Sequence, residues 1–184
     1  MRNFLTGALF ASLIAGSAAA TGLQIEVAGE ANGTVTIDLL EDIAPQHVER
    51  ITTLAANGAY DGVVFHRVID GFMAQTGDVE HGKKGSDMRR AGTGGSDMPN
   101  LPAEFSDVAY EKGVVGMARA QSPDSANSQF FIMFDEAPFL NGQYTVVGRV
   151  TDGQDVVDAI KRGTGGNGAV VGEPDMMKTV TVIE

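Results

Sequence analysis

No cysteine occurs anywhere in the 184 residues, which removes disulfides, thiolate nucleophiles and thiolate metal sites together. Histidine is nearly as scarce: His47, His66 and His81 are all there are, and no two stand at the spacing of helical metal ligands. Cations are outnumbered, 13 Lys and Arg against 24 Asp and Glu, for a formal charge of -11, and no long basic run interrupts the acidity. A nucleic-acid surface, which works by neutralising phosphates, is therefore excluded; the acidity reads as solubility. With 43% hydrophobic and 20% charged residues, the chain has material for one domain with a sizeable core.

The first twenty residues differ from the rest. In "MRNFLTGALFASLIAGSAAA" a short basic start at Arg2 precedes an apolar stretch from Leu5 to Ile14 and an A-x-A site at Ala18-Ala19-Ala20. This pattern predicts a secretory signal peptide over 1–20 and a domain over 21–184. The stretch is shorter than the ~20 residues a membrane-spanning helix needs, and nothing later is long and apolar enough to span. Such a mature chain obtains its stability from packing alone.

"TVTIDLL" (34–40) alternates apolar and polar positions and predicts a strand. Val48, Ile51, Leu54 and Ala55 recur at helical spacing between Pro45 and the stop at Asn57-Gly58, predicting an amphipathic helix. "GVVFHRVI" and "GFMAQTGD" are strand-like runs joined at Asp70-Gly71, suited to a tight turn. Residues 80–102 lack any apolar period and predict a long loop. Three short strands follow in "GVVGMARA", "SQFFIMF" and "YTVVGRV", then a second helix in "GQDVVDAIKRG" ended by Gly163 and a closing strand in "MKTVTVIE". Many short strands with two helices and no strand-helix alternation favour an antiparallel barrel or sandwich.

Several motifs look chemical and have plainer readings. "GTGGNG" (163–168) has dinucleotide-loop spacing but follows a helix instead of a strand, so a flexible connection is expected; "GTGG" (92–95) reads likewise. Ser128 lacks G-x-S-x-G surroundings and is expected to bond locally to the backbone. The acidic pairs Glu41/Asp42 and Asp135/Glu136 sit beside turns and read as solvated loops.

What remains is "FHRVIDGFMAQTGD" (65–78). Arg67 does not titrate usefully but is a strong fixed donor. Phe72 and Met73 suit a greasy pocket the size of a small ring, and Gln75 offers a donor and an acceptor to an extended peptide. These parts fit a reaction without a covalent step or proton transfer, such as rotation about an X-Pro bond. Its barrier is amide resonance, ~18–20 kcal/mol; twisting restores a lone pair to the prolyl nitrogen, where a guanidinium N–H binds the transition state better than either planar form.

"VFHRVIDGFMAQTGD" resembles the central motif of the cyclophilin family of peptidyl-prolyl cis-trans isomerases. "GVVGMARAQSPDSANSQFFIMF" is similar to the family's other signature, and "FLNGQYTVVGRV" to the segment completing its pocket; the likeness runs from about Gly22 to Glu184. It implies a closed eight-stranded antiparallel β-barrel capped by two α-helices and no cofactor. Arg67 matches the catalytic arginine; Phe72, Met73, Phe131 and Leu140 match the walls of the proline pocket. Gln75 and Gln129 match residues that hold the peptide, Ala118 and Arg119 the stretch whose backbone pairs with it, and His66 the histidine beside the arginine. Without the likeness the Phe/Met cluster would read as ordinary barrel core.

Phe139 stands where many eukaryotic members have tryptophan, and Tyr144 where they have a rim histidine, both choices of bacterial-type members. Weak cyclosporin binding is implied, because phenylalanine cannot supply the indole hydrogen bond. Arg119 replaces the common asparagine, with altered substrate preference and retained activity expected. The implied partners are proline-containing unfolded or extended polypeptides, met by a monomer in the periplasm of a Gram-negative bacterium. The Asn32-Gly33-Thr34 sequon leaves a eukaryotic secretory route open. Two other classes compete: a proline-peptide holder or chaperone without isomerase activity, and a secreted hydrolase using Ser128.

Overall fold

The computed structural model describes residues 21–184; the expected signal peptide, 1–20, lies outside the described residues. Nine strands form one sheet: β1 (Gly22–Ala28), β2 (Gly33–Leu39), β3 (Val63–Val64), β4 (Arg67–Ile69), β5 (Met73–Thr76), β6 (Val114–Met117), β7 (Phe130–Met133), β8 (Val146–Asp152) and β9 (Met176–Ile183). Their order is β3-β9-β1-β2-β8-β6-β7-β5-β4, and every ladder is antiparallel. The strands at its two ends are separated in the chain by Phe65-His66 alone, so the sheet has to curl round until its edges meet. The count is one above the expected eight because "GVVFHRVI" breaks there: Phe65 N donates to Asp175 O (2.9 Å), and His66 O accepts from Val170 N (3.0 Å). The closure expected of a barrel is made by the chain, not by a ladder between β3 and β4. The fold is mainly β, a strongly curled antiparallel sheet with two helices.

Strand alternation sorts the side chains between two apolar clusters. Along β7, Phe130 and Ile132 enter the barrel interior with Leu23, Ile25, Val35, Ile37 and Val68, while Phe131 and Met133 join a second cluster on the outer face with Met73, Tyr110, Leu140 and Val146. A run such as "FFIM" is apolar throughout because both of its faces are covered. A one-residue slip of register would exchange the two sets.

The helix α1 (Pro45–Ala56) buries Val48, Ile51, Leu54 and Ala55 as its spacing predicts, together with His47 and Arg50. Its N-cap residue, Ala44, has no side-chain acceptor. Glu104, far along the chain, takes that part, accepting from Gln46 N (3.3 Å), His47 N (3.2 Å) and His47 Nδ1 (2.6 Å); a carboxylate there satisfies orphan amides and complements the helix dipole. The second helix, α2 (Gln154–Ala159), stops short of the expected Gly163. Ile160 turns extended with its side chain buried, and Lys161 N donates to Asp175 Oδ2 (2.8 Å), a tertiary acceptor in place of a helical carbonyl.

Between β5 and β6 there is no strand or helix, as expected of the long loop. Its order comes from buried polar groups. Asp78 accepts from the amides of Glu80, His81, Gly92 and Gly94 at 2.7–3.1 Å, and buried Arg50 reaches Pro99 O (2.7 Å) and Asn127 O (3.4 Å).

Candidate active site

The hairpin of β4 and β5 turns through Asp70-Gly71-Phe72, with Gly71 at φ 67° and Phe72 N bonded to Ile69 O (3.1 Å). Its register sets Arg67 opposite Gln75 and Ile69 opposite Met73, and Gln75 in turn lies opposite Phe131 on β7. The period of two sends Arg67, Met73 and Gln75 to the outer face, while Val68, Ala74 and Thr76 point inward. Gly116 continues the row beyond Phe131. Having no side chain, it lets the rings of Tyr110 and Phe131 stack above it, centroids 5.8 Å apart.

Over this face lies a cavity of about 500 Å³. Phe72, Met73, Phe131, Phe139 and Leu140 supply its apolar wall, and Arg67, Gln75, Ala118, Arg119, Gln143 and Tyr144 the remainder. A second, more polar cavity of about 360 Å³ adjoins it, shares Gln75, Ala118 and Arg119, and holds Gln129 together with Gly94 and Asn127. Ten of the twelve sequence-predicted residues thus line the first cavity and Gln129 the second. His66 lines neither. Its ring packs on Gly92, where a Cβ would come within 2.9 Å of Nε2, and neither ring nitrogen has a partner. Burial holds its pKa below the ordinary value while Asp78 pulls the other way, so the imidazole is neutral at pH 7.

The guanidinium of Arg67 is held on two edges. Nε donates to Asn167 O (2.9 Å) and Nη2 to Asn167 Oδ1 (3.1 Å); Nη1 donates to Gln75 Oε1 (3.1 Å) and approaches Met73 Sδ (4.0 Å). Of the five N–H groups of an arginine, one on Nη2 has no acceptor among the described residues. Burial lowers the Arg67 pKa from its ordinary value, with Tyr144 opposing, and the group stays a cation at any working pH. Its grip on Gln75 orders the amides behind it: Gln75 Nε2 donates to Gln129 Oε1 (2.9 Å) and Gln129 Nε2 to Gly94 O (2.8 Å). With a cation at one end and a carbonyl at the other, both amide orientations are fixed.

Arg119 works differently. Its guanidinium lies 4.4 Å from the centroid of Tyr144 and donates to the carbonyls of Ala120 (3.0 Å), Gln121 (3.2 Å) and Gln143 (2.9 Å from Nη2). It therefore straps two loops together at the rim, and Tyr144 stands edge-on to Phe131 with centroids 5.9 Å apart. Ser128, the candidate nucleophile, is fully buried and donates its hydroxyl to Gly77 O (2.7 Å).

Sequence reasoning missed Asn167, Gly94, Asp78 and Gln143. The first lies in "GTGGNG", the expected connection, which is tied to β4 by hydrogen bonds. Gly163 N donates to Val68 O (2.8 Å) and Ala169 bridges Arg67, so the segment covers the free edge of β4. An asparagine among glycines is itself a signal of left-handed backbone.

The site is an apolar cup on the outer face of a curled sheet, with a hydrogen-bonded guanidinium in its wall. A family model described as "Cyclophilin type peptidyl-prolyl cis-trans isomerase/CLD" matches residues 23–182. The chain belongs to that family and is a peptidyl-prolyl cis-trans isomerase. A Brucella suis biovar 1 (strain 1330) protein named "Probable peptidyl-prolyl cis-trans isomerase" is 51% identical over 188 residues, covering 99% of this chain and 96% of its own. A Helicobacter pylori (strain J99) peptidyl-prolyl cis-trans isomerase is 37% identical over 134 residues, 71% of this chain and 76% of its own. Among solved structures, a Cryptosporidium parvum cyclophilin type isomerase shares the fold at TM-score 0.74 and 23% identity, covering 90% of this chain and 99% of that one.

Proposed function

We propose that the isomerase works without covalent chemistry, through a hydrogen bond from Arg67 to the prolyl nitrogen that forms as the X-Pro bond twists. The proline ring seats in the cup of Phe72, Met73, Phe131 and Leu140, and Gln75 and Gln129 hold the peptide on one side. The backbone at Ala118-Arg119 guides it along the second cavity. The planar amide nitrogen offers no lone pair, so the bond strengthens only in the twisted state, the condition for raising the rate instead of merely tightening binding.

One observation carries this reading: the Nη2 hydrogen without an acceptor among the described residues belongs to a guanidinium on the wall of the apolar cup. Magnitudes limit its share. A charge-assisted hydrogen bond gives about 1.5–3 kcal/mol, whereas a 10⁶-fold acceleration needs about 8 kcal/mol. Clamping the ring and one side of the peptide while the other turns, in a site already organised, supplies the rest. Nothing in the step asks for a titrating group, in keeping with a neutral, enclosed His66.

The substrates on this reading are unfolded or extended polypeptides containing proline, handled by a monomer in the periplasm to assist folding, a location supported by the leader-like residues 1–20. Cyclosporin binds weakly, since Phe139 brings no donor to the rim. A protease-free isomerisation assay on an X-Pro peptide tests the mechanism. Arg67→Ala loses most of the activity, and Arg67→Lys fails as well because an ammonium cannot keep the planar fork. Full activity in the lysine variant contradicts the proposed role, and background rates in all three proteins would make this chain a proline-peptide holder.

A further inference from the structure

We propose that Asn167 is a positioning residue: the 163–168 turn exists to aim the Arg67 guanidinium. The inference rests on the reading of Arg67 given above and adds what holds that group in place.

Asn167 is the only non-glycine residue among those described with positive φ, at φ 56° and ψ 28°. Glycine adopts this conformation with least strain, and Gly163, Gly165, Gly166 and Gly168 surround it. If the turn needed only its shape, a fifth glycine would serve better. What asparagine adds is a second acceptor. In the left-handed conformation its carbonyl and its Oδ1 face the same arginine, one taking Nε–H (2.9 Å) and the other Nη2–H (3.1 Å). A single bond to the carbonyl would leave the guanidinium free to swing about that contact. The second fixes its plane, Gln75 Oε1 braces the opposite edge (3.1 Å), and the unbonded Nη2–H is left with one direction. The facing of the Asn167 amide follows from the same contact, because only its oxygen can accept from a cation.

The turn is seated to bear this load. A Cβ at Gly163 would collide with Gly168 O, and one at Gly168 with Ile69 Cγ1, so the loop lies tight upon itself and upon β4. Gly163 N is tied to Val68 O (2.8 Å), next to Arg67 in the chain. Movement of the turn relative to the arginine is therefore small.

The test is a double-mutant cycle on the full chain with Arg67→Ala, read by kcat and KM in a protease-free isomerisation assay and by the thermal unfolding midpoint. Asn167→Gly keeps the backbone conformation and the carbonyl contact and removes Oδ1 alone. The expected result is a fall in kcat of about tenfold, the loss of one orienting bond, with KM within about twofold and an unfolding midpoint no lower than the parent's. Asn167→Asp, which retains an acceptor and tolerates the left-handed region, restores most of the rate. In the Arg67→Ala background Asn167→Gly has no further effect, because there is nothing left to aim. Parental kcat in Asn167→Gly, an equal proportional loss in both backgrounds, a loss that follows a lowered unfolding midpoint, or an Asp variant as slow as Gly would each overturn the proposal. Arg67→Ala at the parental rate would overturn the parent reading as well, and that arm separates the two failures.

Discussion

Gly116 offers the sharpest test of how the cup is built. A methyl group there would stand 2.6 Å from Phe131 Cζ and 2.8 Å from Tyr110 Cε1, and would also strike the Tyr110 hydroxyl. Comfortable carbon–carbon separations are about 3.5–4.0 Å, so the rings must yield by about 1 Å. Tyr110 is 1% exposed and packed in the outer apolar cluster. Phe131 borders the cavity and is the ring with space to move, into the cup. Overpacking of this kind costs about 1–3 kcal/mol of folding stability. Gly116→Ala is therefore expected to lower the urea midpoint accordingly and to raise KM by about tenfold as the cup narrows. Phe131→Leu removes the clashing ring edge, so adding it to Gly116→Ala should recover part of the stability, a non-additive result expected of neighbours. An alanine variant with parental urea midpoint and KM would show that Tyr110 and Phe131 have slack and that Gly116 does not set the width of the cup.

Two other predictions follow from the loop and the rim. Backbone amides hold the Asp78 pKa below its usual value against the opposing effect of burial; such a group contributes stability that is complete above its unfolded pKa and lost as pH falls through the lowered folded one. Asp78→Asn is thus expected to cost about 2–4 kcal/mol at pH 7, with the gap from the parent closing below about pH 4 in chemical unfolding; a gap independent of pH would contradict this. Phe139 is 69% exposed on the rim, 5.6 Å from Phe72 between centroids. Phe139→Trp adds a donor there, and cyclosporin affinity should rise by about tenfold in a fluorescence titration; unchanged affinity would contradict the importance given to a rim donor.

The fold was legible where a local rule matched a global demand. Val48, Ile51, Leu54 and Ala55 declared α1, and Asp70-Gly71 declared the β4-β5 hairpin, because spacing and turn chemistry there needed no distant partner. By contrast β1 is not among the strands expected from the sequence, although Leu23, Ile25 and Val27 alternate cleanly and are buried. The end of α2 could not be read, since Asp175, a distant side chain, takes the amide of Lys161. The apolar members of the site were visible as residues but not as a site: Phe131 and Phe130 look alike in the sequence, and the barrel alone sends one to the cup and the other to the core. The polar frame was least visible. Arg67 stood out as a cation among apolar neighbours, yet its partner Asn167 lies a hundred positions away, and Gly94 enters only through its carbonyl, which carries no sequence signature.

Exchange spectroscopy by NMR on an X-Pro peptide bound to the enzyme bears most directly on whether Arg67 binds the twisted bond and not the planar one, because it separates affinity from the rate of rotation in the complex. For Arg67→Ala the on-enzyme rate should fall by about 10–100-fold, with the peptide dissociation constant within about threefold of the parent. A variant that keeps the rate, or loses it only in proportion to lost affinity, would mean that the guanidinium binds the ground state and that rotation is accelerated by something else.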